Sequence, residues 1–217
     1  MDSFSDYLKS EAKPIWEKIF THPFLVSIKD GTLPIDSFKY YLTQDYKYLE
    51  GFAKTVGIAL SKAPSEDLLE TLASRISTPV ERPLHRILLP ELGITLKEAN
   101  ETILSPTTTG YLNHMYVTAL TLGLGATAAC LLPCPWTYHM LREELGPSHH
   151  HVYSKWTQFY VDGLLEGSVS CWTAIVNHFA EQAGSEQQAQ MRDAFLTSSK
   201  YELLFWDAAY THQQWPI

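Results

Sequence analysis

Apolar residues recur at three- and four-residue intervals along almost all of this 217-residue chain, and the two-residue alternation of a half-buried strand is nearly absent. That periodicity restricts the chain to helices packed on helices and predicts an all-α bundle. A first helix starts near Ser3 and carries Phe4, Tyr7, Leu8, Ile15, Trp16, Ile19 and Phe20, with Pro14 expected to bend or interrupt it. Pro23 opens a short element that Gly31 closes, and Pro34 opens a long helix to about Lys62. Ser65, with Glu66 and Asp67 behind it, caps a further helix, which Pro79 and Pro83 should break near residues 77–83. Thr95 and Glu98 form a capping box, and Pro106 opens a helix ending around Gly123-Leu124-Gly125. Residues 126–145 and 153–182 each read as one helix, and Ser185 with Gln188 caps a last one that reaches about His212.

With 45% hydrophobic and 12% aromatic residues, the chain has material for one core without disulfides, and residues 1–217 are expected to form a single domain. Its three cysteines, Cys130, Cys134 and Cys171, show no paired framework. No charged-then-apolar leader precedes the first amphipathic segment, so a cytoplasmic location is expected. No apolar run approaches the roughly 18–20 residues of a membrane span. A net charge of −8 with scattered Lys and Arg argues against a nucleic-acid partner, whose binding rests on neutralised phosphates. Small molecules and proteins remain as partner classes.

Three segments hold candidate chemistry. In the long helix after Pro34, Asp45 and Tyr48 are three apart and share a face with Tyr41 and Phe52. Asp45 is either a solvated residue at the edge of this stripe or a fixed acceptor for a ligand's N–H groups. Cys134 lies between Pro133 and Pro135, four residues before Tyr138. A buried cysteine is commonly an inert small hydrophobe, but two prolines that disturb the helical ladder around it favour a nucleophile. Glu202 sits beside Phe205 and Trp206; it is either on a solvent face with Lys200 or buried, where its pKa rises and it donates a proton. Tyr116 and Tyr160 join Tyr48, Tyr138 and Phe205 as candidate pocket rings, with core packing as the alternative. Glu81 and His85 are four apart, yet a di-iron bundle needs Glu-x-x-His from each of two helices, and His149-His150-His151 reads as a solvated loop. No metal or cofactor is assigned.

Six collinear strings, Gln44-Asp45-Tyr46-x-Tyr48-Leu49, Pro106-Thr107-Thr108, His114-Met115-Tyr116, Leu131-Leu132-Pro133-Cys134-x-Trp136-x-Tyr138, Tyr153-x-Lys155-Trp156-x-x-x-Tyr160 and Ser198-Ser199-x-Tyr201-Glu202-x-x-Phe205-Trp206, resemble the TenA family, the thiaminase II enzymes of thiamin salvage. The resemblance spans nearly the whole chain. It implies a haem-oxygenase-like helical bundle, a homotetramer, and an aminohydrolase acting on a small-molecule pyrimidine from thiamin breakdown. It implies Cys134 as nucleophile, in the cysteine-bearing branch, Glu202 as acid/base, Asp45 as the carboxylate gripping the aminopyrimidine, and Tyr48, Tyr116, Tyr138, Tyr160 and Phe205 as pocket aromatics. Pro135 and the Pro79/Pro83 pair depart from its pattern. A non-catalytic pyrimidine-binding or regulatory protein on the same fold is the alternative from another class.

Overall fold

A computed structural model describes residues 3–77 and 80–216, and among them twelve helices and no strand. In chain order these are α1 (Phe4–Phe20), α2 (Pro23–Asp30), α3 (Ile35–Leu60), α4 (Glu66–Ser77), α5 (Arg82–Glu91), α6 (Leu96–Glu101), α7 (Pro106–Thr121), α8 (Leu124–Leu131), α9 (Pro133–Glu144), α10 (Tyr153–Val161), α11 (Glu166–Gln182) and α12 (Ser185–Thr211). The capping chemistry falls where the sequence places it. Ser3 accepts from the Asp6 N–H while Asp6 accepts from the Ser3 N–H, and Thr95 and Glu98 do the same for α6. Gly31 ends α2. No helix among the described residues is long and apolar enough to cross a membrane.

The structure differs from the periodicity reading at four places. α1 runs unbroken through Pro14, which lies on the solvent face, so the carbonyl it leaves unpaired is hydrated. The 126–145 segment is two helices, because Pro133 and Pro135 remove two donors from the ladder and α8 gives way to α9 at Leu132. The 153–182 segment also divides, at Gly163, whose φ of 71° lies in the left-handed region and terminates α10. The cap of α12 is Gly184 rather than Ser185, its N–H donated to Gln187 Oε1. The expected break after α4 is present and Pro83 sits in the first turn of α5, where its missing N–H costs little; Pro79 lies outside the described residues.

α12 is the axis of the assembly and packs on α1, α3, α7, α8 and α9, while α3 packs on α4 and α7. The core beneath is unusually aromatic. Trp206 of α12 stacks on Tyr41 of α3 with centroids 5.2 Å apart, and Phe24, Trp156 and Tyr138 close around the same indole. Such pairs contribute about 0.5–1.5 kcal/mol each beyond area burial, and they fix the rotation of α3 and α12 about each other.

Two polar anchors set the depth of the helices. Gln44 Oε1 accepts from the Ser105 N–H (3.0 Å) and the Thr108 hydroxyl (2.8 Å), and its Nε2 donates to the Ile103 carbonyl. Buried polar groups must be satisfied, so Gln44 ties α3 to the start of α7 and thereby locates Asp45, its neighbour in sequence. Ser199 accepts from the Trp16 indole N–H at 3.1 Å, which docks α12 on α1 three residues before Glu202.

At Gly51 α3 and α7 touch so closely that an added Cβ would meet Leu112 Cδ2 at 2.3 Å. Gly51→Ala is therefore expected to overpack the α3/α7 contact at a cost of about 1–3 kcal/mol, lowering the melting temperature by roughly 2–4 °C per kcal/mol at this size. Thermal unfolding followed by circular dichroism checks it; an unchanged midpoint would contradict the close approach.

Candidate active site

Seven of the eight side chains singled out in the sequence converge between α3, α9, α10 and α12. Cys134 is 7% exposed, Asp45 5% and Glu202 2%, which decides against the solvated alternatives for both acids; Lys200, the solvent-side partner considered for Glu202, is exposed on its own. Tyr48, Tyr138, Tyr160 and Phe205 are buried around them, with Tyr48 and Phe205 centroids 5.9 Å apart and Tyr138 and Tyr160 5.2 Å apart. A cavity of about 200 Å³ reaches Cys134 and Pro135 past Leu49, Phe52, Glu81 and Trp172. That is below the ~300 Å³ at which drug-sized pockets begin and matches a single substituted ring seated at Cys134, the cavity being open on its outer side.

Tyr116 stands apart from this group. On α7, Tyr111 and Met115 face inward at an i,i+4 spacing, and Tyr116 is turned about 100° past Met115. It borders a separate surface cleft with Lys47, Glu50 and Lys54. Tyr111, which the sequence does not single out, reaches Glu202 and Tyr48 from the same helix. It had no distinguishing signal beyond its spacing to Met115.

Tyr111 donates its hydroxyl hydrogen to Glu202 Oε1 at 2.6 Å, a buried contact, and its ring lies 5.0 Å from that of Tyr48. Tyr48 donates its hydroxyl hydrogen to Met115 Sδ at 3.9 Å and lies between Tyr111 and Cys134, close enough to bear on the ionisation of both. The thiol and the acid thus share one buried site with two phenols, of which Tyr111 is hydrogen-bonded to the acid. Burial raises the Glu202 carboxyl from its ordinary 4.5 to about 8, with Asp45 and Glu81 adding to the rise and the Tyr111 hydrogen bond opposing it. Glu202 is a protonated acid at neutral pH. Burial, followed by the charges of Glu202 and Glu81, also pushes the Cys134 thiol well above its usual range, with the Tyr48 hydroxyl opposing. The free protein therefore holds a thiol rather than a thiolate, and attack requires its proton to leave as the sulfur bonds.

Asp45 Oδ2 lies 2.9 Å from His85 Nε2. The other ring nitrogen, Nδ1, is buried with no hydrogen-bond partner among the described residues, and a carboxylate only accepts, so Nε2 carries the proton that Asp45 receives. Glu81, the N-cap residue of α5, accepts the Tyr160 hydroxyl hydrogen at 2.8 Å. The sequence reading weighed Glu81 and His85 only as metal ligands. Their i,i+4 spacing was the available signal, and its meaning is that α5 faces α3 and α10 with two ionisable groups. Among the described residues no three metal-ligating side chains converge.

Cys130 is buried against the Ser198 hydroxyl at 3.3 Å, behind the site on α8, and burial raises its thiol to about 11. Cys171 is half-buried, packs against the core and borders a groove between α4 and α11. The histidine run is the loop before α10, with His150 stacked on Tyr153.

A model of the TENA/THI-4/PQQC family matches residues 9–212. The chain belongs to this family. An aminopyrimidine aminohydrolase of Bacillus subtilis is 37% identical over 98% of this chain and 92% of its own length. One from Halalkalibacterium halodurans is 30% identical over 98% of each. Among solved structures, a TenA homologue from P. horikoshii superposes with a TM-score of 0.87 at 30% identity, covering 97% of this chain and 99% of its own. The fold is the haem-oxygenase-like helical bundle of the TenA proteins.

A carboxyl held protonated to about pH 8 when an unfolded glutamate releases its proton near 4.5 has a linkage consequence. Its contribution to stability is full below pH 4.5 and is lost as pH rises through about 8, because the folded chain binds more protons than the unfolded one across that window. Glu202→Gln keeps an acceptor for Tyr111 and has no proton to lose. Its melting temperature should draw upward relative to wild type as pH rises from about 5 to about 9. A difference independent of pH would show that Glu202 is not a raised acid.

Proposed function

We propose that this chain is an aminopyrimidine aminohydrolase of thiamin salvage, which replaces the exocyclic amine of aminomethylpyrimidine with water to give hydroxymethylpyrimidine and ammonia, with thiamin as a second candidate substrate. The observation that carries the reading is the burial in one aromatic site of a thiol, Cys134, and an acid, Glu202, whose carboxyl is raised to about 8 and hydrogen-bonded to Tyr111. The names of the curated relatives support it.

An aminopyrimidine is too electron-rich to lose its exocyclic substituent to water directly. Addition of the Cys134 sulfur to a ring carbon, with a proton delivered to a ring nitrogen by Glu202, breaks the aromaticity and lets the substituent depart. Glu202, left as a carboxylate once the ring nitrogen is protonated, takes up the thiol's proton as the sulfur bonds, so the acid is restored. Water takes the place of the amine, and expulsion of the sulfur restores the ring. Asp45, its orientation fixed by His85, accepts hydrogen bonds from the amidine edge. Tyr48, Tyr138, Tyr160 and Phe205 stack on the pyrimidine and exclude bulk water. No step calls for a metal or an organic cofactor.

The same reading places residues 1–217 in one cytoplasmic domain that assembles as a homotetramer. A shared core supports the single domain, and Val117 and Leu120, exposed along the outer face of α7, support association, which sedimentation velocity measures.

Ammonia release from aminomethylpyrimidine tests the mechanism. Cys134→Ser should fold and lose turnover, since a hydroxyl is a far poorer nucleophile at similar volume. Glu202→Gln should lower kcat by about 10²–10⁴, the usual worth of a positioned acid/base, with substrate affinity changed much less. Near-wild-type kcat in either folded variant would contradict the assigned roles. Tight pyrimidine binding without turnover by the wild type would instead make the chain a binding protein.

A further inference from the structure

The proposed reaction contains two proton transfers that Glu202 is badly placed to make. The amine must gain a proton as its C–N bond breaks, and the water that replaces it must lose one. Glu202 is hydrogen-bonded to Tyr111 within the core, where it serves the ring. Among the described residues, Glu81 is the acid that borders the cavity at Cys134.

Nothing in the packing gives Glu81 a structural task that accounts for it. It is the N-cap residue of α5, yet its side chain makes no capping hydrogen bond. Arg82, its neighbour, lays its guanidinium over the Tyr46 ring at 4.3 Å, and His85 is committed to Asp45. Its side-chain hydrogen bond is to the Tyr160 hydroxyl from α10. Glu81 is half-buried at the wall of the cavity, hydrogen-bonded to a phenol rather than paired with a cation, and acids so placed concentrate where chemistry is done. Burial, with Asp45 adding and His85 opposing, raises it to about 7. At neutral pH it both gives and accepts a proton.

We propose that Glu81 is the acid/base of the exocyclic arm: its carboxyl proton passes to the amine nitrogen as the C–N bond breaks, and its carboxylate takes a proton from the water that forms the C–O bond. Ammonia leaves with the two hydrogens of the amine and one from Glu81, and the water restores that one. No further reactant is needed. The Tyr160 hydroxyl is a positioning group, holding one carboxyl oxygen. The inference rests on the aminohydrolase reading and divides its proton traffic between two acids, Glu202 for the ring and Glu81 for the leaving group.

The test compares two substrates that share the pyrimidine, one with the aminomethyl arm and one with a 4-nitrophenoxymethyl arm, whose phenolate departs without a proton. In Glu81→Gln, which keeps an acceptor for Tyr160, first-turnover ammonia release should fall by about 10²–10⁴. First-turnover nitrophenolate release should stay within about threefold of wild type, followed by slow later turnovers because the water lacks its base. Equal losses for both leaving groups in the first turnover, or no loss with either, would overturn the inference.

If the variant fails to fold, wild-type pH profiles decide. Ammonia release should carry an ionisation near neutrality that first-turnover nitrophenolate release lacks; the same ionisation in both would overturn the assignment. The groups that face Glu81 and must be considered in those profiles are Asp45 on α3, Arg75 on α4, Arg82 and His85 on α5, Cys134 on α9, Tyr160 on α10 and Glu202 on α12. No ammonia release by the wild type would overturn the functional reading and this inference together, whereas the leaving-group pattern bears on Glu81 alone.

Discussion

The hydrogen bond from Tyr111 to Glu202, 2.6 Å long and closed off from water, is the contact on which the rest of the site depends. A lone carboxyl among aromatic rings would be expensive as an anion, and here the cost is avoided by holding the proton. Everything that keeps the pair dry therefore tunes the acid. Tyr48, Phe205 and Tyr111 are close around it, and α3, α7 and α12 must approach within side-chain contact to place them. The fold and the chemistry are one constraint seen at two scales.

The polar residues that do not touch the cavity explain how that approach is fixed. Gln44 satisfies the start of α7 and sets the height of α3, so that Asp45 arrives opposite His85. Ser199 does the same for α12 against Trp16. These are strong positional devices, since a buried amide or hydroxyl left unpaired costs about 1–3 kcal/mol. They also give a physical meaning to sequence strings whose members never meet a ligand. The acidic character of the site follows too. Asp45 raises Glu81, Asp45 and Glu81 raise Glu202, and all three raise the thiol, and the field they create favours a substrate that brings donors and positive charge.

Much of this was legible in the chain. The helical period and the Pro and Gly punctuation give the class of fold and most helix ends, and Asp45, Cys134 and Glu202 stand out because a charge or thiol interrupts an apolar face. What could not be read was burial itself, since spacing places Glu202 on a face without saying whether that face meets Lys200 and water or Tyr111. The breaks at Leu132 and Gly163 were missed because apolar periodicity continues across both. Tyr111 carried no signal that set it apart from Tyr116, five residues on, because which of the two faces inward depends on how α7 is turned against α3, at the contact of Gly51 with Leu112. Glu81 and His85 were seen only as a pair on one helix; their partners Tyr160 and Asp45 come from α10 and α3, far away in sequence.

The account stands on the ionisation state of one buried carboxyl. Infrared difference spectroscopy of the free protein, titrated across the neutral range and compared with Glu202→Gln, observes that group directly. The account predicts a protonated-carboxyl band belonging to Glu202 that persists at pH 7 and disappears as pH passes about 8, absent from the variant throughout. Loss of that band near the ordinary value of 4.5 would mean that Glu202 is an ordinary carboxylate at neutral pH, and the acid that begins the reaction would have to be sought elsewhere.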